Sequence, residues 1–172
     1  EIADAPAIAD IPLEMMVERE PVTVIVSDKG WVCAAKGHIE NEGEIKYKEG
    51  DHSRFIIRCE TTDRLLIFAS NGRFYSMPVD KLPGGRGFGE PLRLMIDIPN
   101  EHEIVQVMLH RPEGGKLLVA SDDGRGFVVE ESEVVAQTRA GKQIMSLADN
   151  ARGVVAVRVT GDAIATVGEN RK

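Results

Sequence analysis

Two segments of this sequence combine glycine with arginine or lysine. They are residues 83–89 (PGGRGFG) and residues 137–143 (QTRAGKQ). Glycine lets a backbone approach a bulky ligand closely, and arginine or lysine neutralises phosphate groups. These residue types therefore indicate contact with a polyanion, and their occurrence at corresponding places of a repeat strengthens that interpretation. A flexible surface loop with incidental charge is the alternative.

Basic residues near the turns and loops of the repeat are the candidate phosphate contacts. Glycines in the two loops are the candidate points of close approach. The predicted phosphate-contacting side chains are Lys29, Lys36, Arg73, Lys81, Arg86, Arg93, Arg125, Arg139 and Lys142. The predicted close-approach glycines are Gly84, Gly85, Gly87 and Gly141.

Signals of catalysis or metal binding are missing from the sequence. The four histidines have no HExxH spacing, and there is no GxxxxGK[ST] loop. Tyr47 and Tyr75 lie in alternating, strand-like segments and are interpreted as packing or rim residues. Serines 27, 70 and 121 recur near one turn, which favours a repeated structural hydrogen bond over three active sites. We expect no catalytic residue and no metal ligand in this chain.

The elements that position these loops form an internal repeat. An apolar strand, a tight polar turn and a second strand recur in residues 22–32, 65–75, 117–127 and 163–171. A further apolar strand comes later in the first three repeats, at 55–57, 104–109 and 154–159. About four strands in each 42–52 residues is the size of a propeller blade. The prediction is an all-β fold, with short helices only near 12–17 and 79–82, and with the first strand of each repeat covered on both faces.

Charge is distributed unevenly along the chain. Of the net charge of -7, residues 1–20 carry -5 and residues 21–172 carry -2. The predicted organisation is an acidic arm (1–20) followed by repeats at about 21–62, 63–114, 115–160 and 161–172. The arm is interpreted as a solvated linker. The sharper alternative is an internal competitor, in which the acidic arm competes with a ligand for a basic surface of the chain.

No apolar run reaches the ~20 residues of a membrane-spanning helix. Cys33 and Cys59 are expected to be buried thiols in a reducing compartment. Because residue 1 is not Met, we expect a piece of a longer protein.

From about residue 21 onward, the repeat resembles the C-terminal domain of bacterial type IIA topoisomerase A subunits, those of gyrase and topoisomerase IV. Residues 70–75 (SNGRFY) and 84–87 (GGRG) are its most specific stretches. Gyrase A carries a Gln-Arg-Arg-Gly-Gly-Lys-Gly box in its first blade. Here the nearest match is residues 137–143, in the third repeat. That departure favours topoisomerase IV. The overall sequence, including residues 82–87 (LPGGRG), looks similar to topoisomerase IV A subunits of the alphaproteobacterial type.

The resemblance implies a partial β-pinwheel, a propeller-like disc whose four-stranded blades exchange strands and whose rim binds and bends duplex DNA. It implies a non-catalytic domain that positions the transported duplex for strand passage. The parent would be an A2B2 enzyme, and the partners would be the ATPase B subunit together with the rest of the A subunit. ATP and Mg²⁺ would bind elsewhere, so no cofactor is expected here. The implied location is cytoplasmic and nucleoid-associated, with peripheral membrane association of the parent as an open option. The alternatives are a gyrase-type DNA-wrapping domain and a propeller that binds other proteins.

Overall fold

The computed structural model describes residues 18–84 and 87–163. Mostly antiparallel β-strands build it, and the described residues contain a single α-helix, α1 (Glu131–Val134). Short 3₁₀ turns occupy Glu42–Glu44, Val79–Lys81 and Leu92–Leu94. The strands are β1 (Pro21–Ser27), β2 (Trp31–Lys36), β3 (Ser53–Glu60), β4 (Arg64–Ala69), β5 (Arg73–Pro78), β6 (Glu90–Pro91), β7 (Ile104–Leu109), β8 (Lys116–Ser121), β9 (Gly126–Glu130), β10 (Lys142–Gln143) and β11 (Gly153–Arg158).

This architecture confirms the all-β prediction. The helix expected near 79–82 is a 3₁₀ turn, and the one expected at 12–17 lies outside the described residues. The described residues also leave out most of the fourth repeat, Gly85 and Arg86. In the described part of the chain, no helix is long and apolar enough to cross a bilayer.

Three sheets correspond to the first three repeats. Their strand orders are β3-β1-β2-β6, β10-β5-β4-β7 and β11-β8-β9. In each sheet the two strands flanking the glycine turn are neighbours. The late apolar strand of the same repeat (β3, β7 or β11) lies on the other side of the first strand. The three late strands predicted from the sequence are thereby confirmed.

The fourth strand of the first two sheets comes from the following repeat. β6 pairs with β2 of the first sheet, and β10 pairs with β5 of the second sheet. Each of these exchanged strands has only two residues. A sheet of this chain is therefore completed by a segment about one repeat further along. In the third sheet, the described residues place no strand outside β9.

Contacts divide the described chain into two compact units. The first contains the residues up to Leu65 together with Met77–Leu94, and it includes the first sheet. Its buried side chains include Val24, Val26, Val32 and Leu92. The second contains Leu66–Ser76 and the residues from Met95 onward. Its core cluster consists of Leu66, Phe68, Phe74, Leu117, Val119, Val134, Met145 and Ala156.

Burial of the first strands differs between repeats. β1 and β4 are buried along almost their whole length, as expected for strands covered on both faces. In β8 burial alternates, since Leu117 and Val119 are fully buried while Leu118 is half-buried. On neighbouring strands, Val128 and Val157 are 48% and 46% exposed. For β8 the expectation is wrong, because only one face of the third sheet is covered by described residues.

A buried carboxylate ties three elements of the second unit together. Glu131 of α1 is fully buried and accepts hydrogen bonds from Arg158 Nη1 at 2.6 Å and Arg158 Nη2 at 3.0 Å. It also accepts one from the Arg111 backbone N–H at 2.8 Å, and His110 Nδ1 lies 3.3 Å from it. Burial disfavours the ionised form of Glu131, but the hydrogen bonds from Arg158, Arg111 and His110 outweigh it, so its pKa lies below the ordinary value.

Both cysteines are buried and free, which confirms their interpretation as buried thiols. Burial raises the pKa of Cys33, and burial is also the main reason that the pKa of Cys59 is about 11. Since the thiolate is the reactive form, neither side chain is an activated nucleophile at neutral pH.

Candidate nucleic-acid interface

Residues 140–143 of the second loop lie along the outer edge of β5 in the second sheet. Lys142 pairs with Phe74, and Gln143 pairs with Arg73. Directly after β10, the backbone N–H groups of Ile144 and Met145 both donate to Gly72 O, at 3.2 and 3.1 Å. We call this surface, formed by Arg73, Arg139, Gly141 and Lys142, the second-sheet edge. The fold thus brings together three of the predicted DNA-contacting side chains and one of the predicted close-approach glycines.

Asp97 and Arg73 hold the arginine of this loop in place. The Asp97 N–H donates to Arg139 O at 2.9 Å, and Asp97 Oδ1 lies 3.6 Å from Arg139 Nη2. Arg73 Nη1 donates to Ala140 O at 3.1 Å. The Arg139 and Asp97 side chains are 63% and 60% exposed, so water screens this ion pair strongly. Arg139 is therefore accessible to an external phosphate while its backbone is fixed.

Tyr75 supports the loop from below. It is fully buried, donates from its hydroxyl to Asp97 O at 2.9 Å, and accepts from Asn71 Nδ2 at 3.1 Å. This geometry confirms Tyr75 as a packing residue. A Cβ on Gly141 would lie 2.8 Å from the Tyr75 ring and 2.7 Å from Phe74 O. Gly141 also has a φ of +73°. Close packing against the protein's own strand therefore explains this glycine, whereas its approach to DNA stays a prediction.

The first sheet has an equivalent edge on β2. Trp31 pairs with Pro91, Val32 pairs with Glu90, and the Leu92 N–H donates to Gly30 O at 2.8 Å. Gly89, with a φ of +79°, precedes the exchanged strand as Gly141 does, and a Cβ there would lie 2.1 Å from Val32 O. We call this surface, formed by β2, Gly84, residues 87–89 and β6, the first-sheet edge.

These pairings correct the correspondence expected between the two loops. Because Glu90 opposes Val32 as Lys142 opposes Phe74, residues 85–91, not 83–89, are the counterpart of 137–143. The described residues of both glycine-rich loops, moreover, lie against the sheet that precedes their own repeat. On the first sheet, Glu90 consequently occupies the position of the exchanged strand that Lys142 occupies on the second sheet.

One basic residue near the first-sheet edge was missed by the sequence reasoning. Lys48 Nζ lies 3.7 Å from the centroid of the Trp31 ring, a cation–π contact. Trp31 occupies the place that Arg73 has in the second sheet. The only signal was the segment Lys46–Lys48, which the sequence analysis did not select because it matches the box poorly.

The remaining predicted basic residues lie on separate elements. Lys36 ends β2, Lys81 and Arg93 lie on 3₁₀ turns, and Arg125 precedes β9. Lys29 lies on the β1–β2 turn, where its backbone N–H donates to Asp51 Oδ1 at 3.0 Å. Arg125 Nε lies 3.5 Å from Asp123 Oδ2. Their contribution to a DNA interface stays a prediction.

Two of the predicted glycines have open surroundings. A Cβ on Gly84 or Gly87 would meet no heavy atom within 4 Å. This space fits the expected close approach of a ligand but does not test it. The three recurring serines are buried, and each is hydrogen-bonded through its hydroxyl, which confirms their structural role. Among the described residues, no group of three or more His, Cys, Asp or Glu side chains is arranged to hold a metal ion.

A family model described as "DNA gyrase C-terminal domain, beta-propeller" matches residues 63–111 and 115–161. The chain belongs to this family. The match covers the second and third repeats, including both exchanged strands. It agrees with the resemblance stated from residues 70–75 and 84–87.

Curated relatives are named as the A subunit of DNA topoisomerase 4. The protein from Caulobacter vibrioides is 43% identical over 170 residues, which cover 98% of this chain and 22% of that protein. The Rickettsia bellii protein is 42% identical over 162 residues, covering 94% of this chain and 22% of its own length. The Escherichia coli K12 protein is 38% identical over 136 residues, covering 79% and 18%. The chain thus spans about a fifth of the length of these relatives.

Solved structures give the same fold. The E. coli ParC C-terminal domain superposes with a TM-score of 0.75 at 34% identity, covering 83% of this chain and 58% of that one. A C-terminal domain of DNA topoisomerase IV superposes with a TM-score of 0.74 at 22% identity, covering 85% and 48%. The gyrase A C-terminal domain reaches 0.54 at 17% identity, covering 81% and 48%. These likenesses agree with the predicted strand-exchanged, propeller-like fold.

Proposed function

We propose that the chain binds duplex DNA through the second-sheet edge. The observation that carries this proposal is the clustering of Arg73, Arg139 and Lys142 on one exposed loop and strand edge, where Arg139 lies beside the carboxylate of Asp97. Family membership supports it, since the family model is named for DNA gyrase. The overall charge of -7 does not oppose local binding, because phosphates respond to nearby cations more strongly than to distant acids at physiological salt.

The proposed contacts go to the phosphate backbone. Flexible arginine and lysine side chains on a strand edge neutralise phosphates without reading bases, so binding is expected to be independent of sequence and steeply dependent on salt. Arg86, with Lys36, Lys29, Lys81, Arg93 and Arg125, would extend the contact where the DNA bends around the domain. Gly84, Gly85 and Gly87 would allow the backbone of the first loop to approach it.

In the parent protein, we propose that this domain belongs to the A subunit of a topoisomerase IV and positions the transported duplex. Strand passage, decatenation and supercoil relaxation would be carried out by the A2B2 assembly, with the catalytic residues, ATP and Mg²⁺ outside this chain. The names of the curated relatives favour topoisomerase IV over gyrase. The proposed location is the cytoplasm, at the nucleoid.

The test is anisotropy of a short fluorescent duplex titrated with the chain from about 50 to about 200 mM salt. We expect the logarithm of the affinity to fall linearly with the logarithm of the salt concentration. Arg139→Glu should weaken binding by about 10-fold or more and make the slope less negative by about 0.9 per lost phosphate contact.

Arg111→Glu is the matched control, because Arg111 is exposed on the β7–β8 connection and the substitution changes the charge equally. Equal losses in the two variants would mean that only net charge matters and that the second-sheet edge is not the interface. A chain that binds no DNA even at low salt would leave the protein-binding propeller as the better function.

A further inference from the structure

Glu90 and Lys142 occupy equivalent positions on the two sheet edges. Each is the exposed first residue of a two-residue exchanged strand, and each follows a glycine with positive φ. Each also opposes a fully buried residue of the edge strand, Val32 or Phe74. The backbone therefore presents the two side chains in the same way, and their charges are opposite.

The charged residues around Glu90 are mainly acidic, and those around Lys142 are mainly basic. Glu90 lines a surface groove of the first unit whose other charged lining residues are Glu20, Asp80 and Lys36, so three acidic residues accompany one basic residue there. Lys142 lies beside Arg73 and Arg139, with Asp97 as the acidic partner of that group. Among the described residues, this groove is therefore lined by more acidic than basic residues, whereas the group around Lys142 has more basic than acidic members.

Of these acidic residues, Glu90 is the one that lies on the exchanged strand itself. At the other end of the exchanged strand, Lys48 over the Trp31 ring supplies a cation near the place that Arg73 occupies in the second sheet. Lys36 ends β2 in the same groove as Glu90. Along β2, Val32, which pairs with Glu90, thus lies between Trp31, which Lys48 contacts, and Lys36.

We infer that Glu90 is a specificity-determining residue that limits DNA binding at the first-sheet edge, so that the duplex is held mainly at the second-sheet edge. The inference rests on the proposed function, since it assumes that phosphate contacts run along these edges. A carboxylate beside the duplex repels phosphate and cannot release a counterion, whereas a lysine at that place does. The two edges thus bind DNA unequally although their backbones are alike.

The experiment exchanges the two charges one at a time. For the full chain binding a short fluorescent duplex at about 0.1 M salt, Glu90→Lys should raise the affinity by about 3- to 10-fold. It should also make the slope of log affinity against log salt more negative by about 0.9, one phosphate contact. Glu90→Gln should give an intermediate affinity without that change in slope. Lys142→Glu should lower the affinity and flatten the slope.

Glu133→Lys provides the matched control, because Glu133 is exposed on α1 and the charge change is identical. Far-UV circular dichroism and the unfolding midpoint check that each variant is folded. Since Glu90 is exposed and contributes its backbone to the pairing with Val32, both of its substitutions leave that pairing intact.

The possible outcomes distinguish a failure of the inference from a failure of the proposed function. Salt-sensitive binding by the wild type, with Glu90→Lys no tighter than Glu133→Lys, overturns the inference and leaves the proposed function standing. No salt-sensitive binding by the wild type or by any variant overturns both. Tighter binding by Glu90→Lys alone, with the steeper slope, supports the inference.

Discussion

At the scale of single residues, Glu131 is an acid in a place that another repeat fills with an apolar side chain. The Glu131 N–H donates to Gly115 O at 3.0 Å. Val79 makes the equivalent hydrogen bond one repeat earlier, since its N–H donates to Asp63 O at 3.0 Å and both residues lie 52 positions before their counterparts. Both side chains are buried. In the third repeat, the Arg158 guanidinium and two further donors compensate the buried charge. The site is therefore stable only while all its partners are present.

Glu131→Gln should lower the free energy of unfolding by about 3–5 kcal/mol, because it leaves the largely buried Arg158 guanidinium without a counter-charge. Urea unfolding followed by circular dichroism measures this. Glu133→Gln, an exposed neighbour on α1, should change the free energy by less than about 0.5 kcal/mol. A loss below about 1 kcal/mol for Glu131→Gln would show that the pair contributes little.

The acid dependence of stability should reflect the same carboxylate. The pKa of Glu131 is lower in the folded chain than its ordinary value, because hydrogen bonds from Arg158, Arg111 and His110 outweigh its burial. Its stabilisation is therefore fully present above the ordinary glutamate pKa of about 4.3 and is lost as pH falls through the folded pKa. The difference in unfolding free energy between the wild type and Glu131→Gln should thus shrink between about pH 5 and about pH 3. A difference that grows on acidification would contradict this.

At the scale of elements, the long strands could be predicted and the exchanged strands could not. Apolar runs such as residues 104–109 indicate buried strands, so these strands can be predicted from the hydrophobic pattern of the sequence. β6 and β10 consist of Glu90–Pro91 and Lys142–Gln143, which carry no apolar signal. Their position is decided by the free edge of a strand some sixty residues earlier, so their pairing is a tertiary property. The offset of two residues between the loops follows from that pairing alone.

The candidate site was partly predictable for a related reason. Arg139, Gly141 and Lys142 are close in sequence, so their grouping needed no knowledge of the fold. Arg73 joins them only through its bond to Ala140 O, 67 residues away. Lys48 contacts Trp31 from the connection between β2 and β3, 17 residues further along the chain, so their contact depends on how that connection folds.

Gly141→Ala should lower the free energy of unfolding more than Gly124→Ala, because Gly124 lies in an open turn. Both Gly141 and Gly124 have positive φ, which costs a non-glycine residue about 1–2 kcal/mol. A Cβ on Gly141 also collides with Phe74 O at 2.7 Å, while one on Gly124 meets nothing within 4 Å. We expect Gly141→Ala to cost about 1–3 kcal/mol more than Gly124→Ala in urea unfolding, and to reduce DNA affinity. Equal costs would mean that the loop can shift away from β5.

At the scale of the whole molecule, the acidic arm should oppose DNA binding at low salt. Residues 1–17 contain four acids and no lysine or arginine, so their removal changes the net charge from -7 to -3. We expect this deletion to raise duplex affinity by about 2- to 5-fold at about 20 mM salt and to have little effect at about 300 mM, where charges are screened beyond several ångströms. Anisotropy at both salt concentrations measures it. Equal affinities at every salt concentration would favour the solvated linker over the competitor.

Strand exchange also has a consequence for the time course of synthesis. Val32 leaves the ribosome 58 residues before Glu90, and Phe74 leaves 68 residues before Lys142, the partners that complete their sheets. At about 5–20 residues per second, each edge strand waits roughly 3–14 s for its neighbour. During that interval an unpaired strand edge is open to the wrong partner, as any exposed edge is. The nascent chain is thus most vulnerable to misassembly between one repeat and the next, when a factor that shields strand edges would help it most.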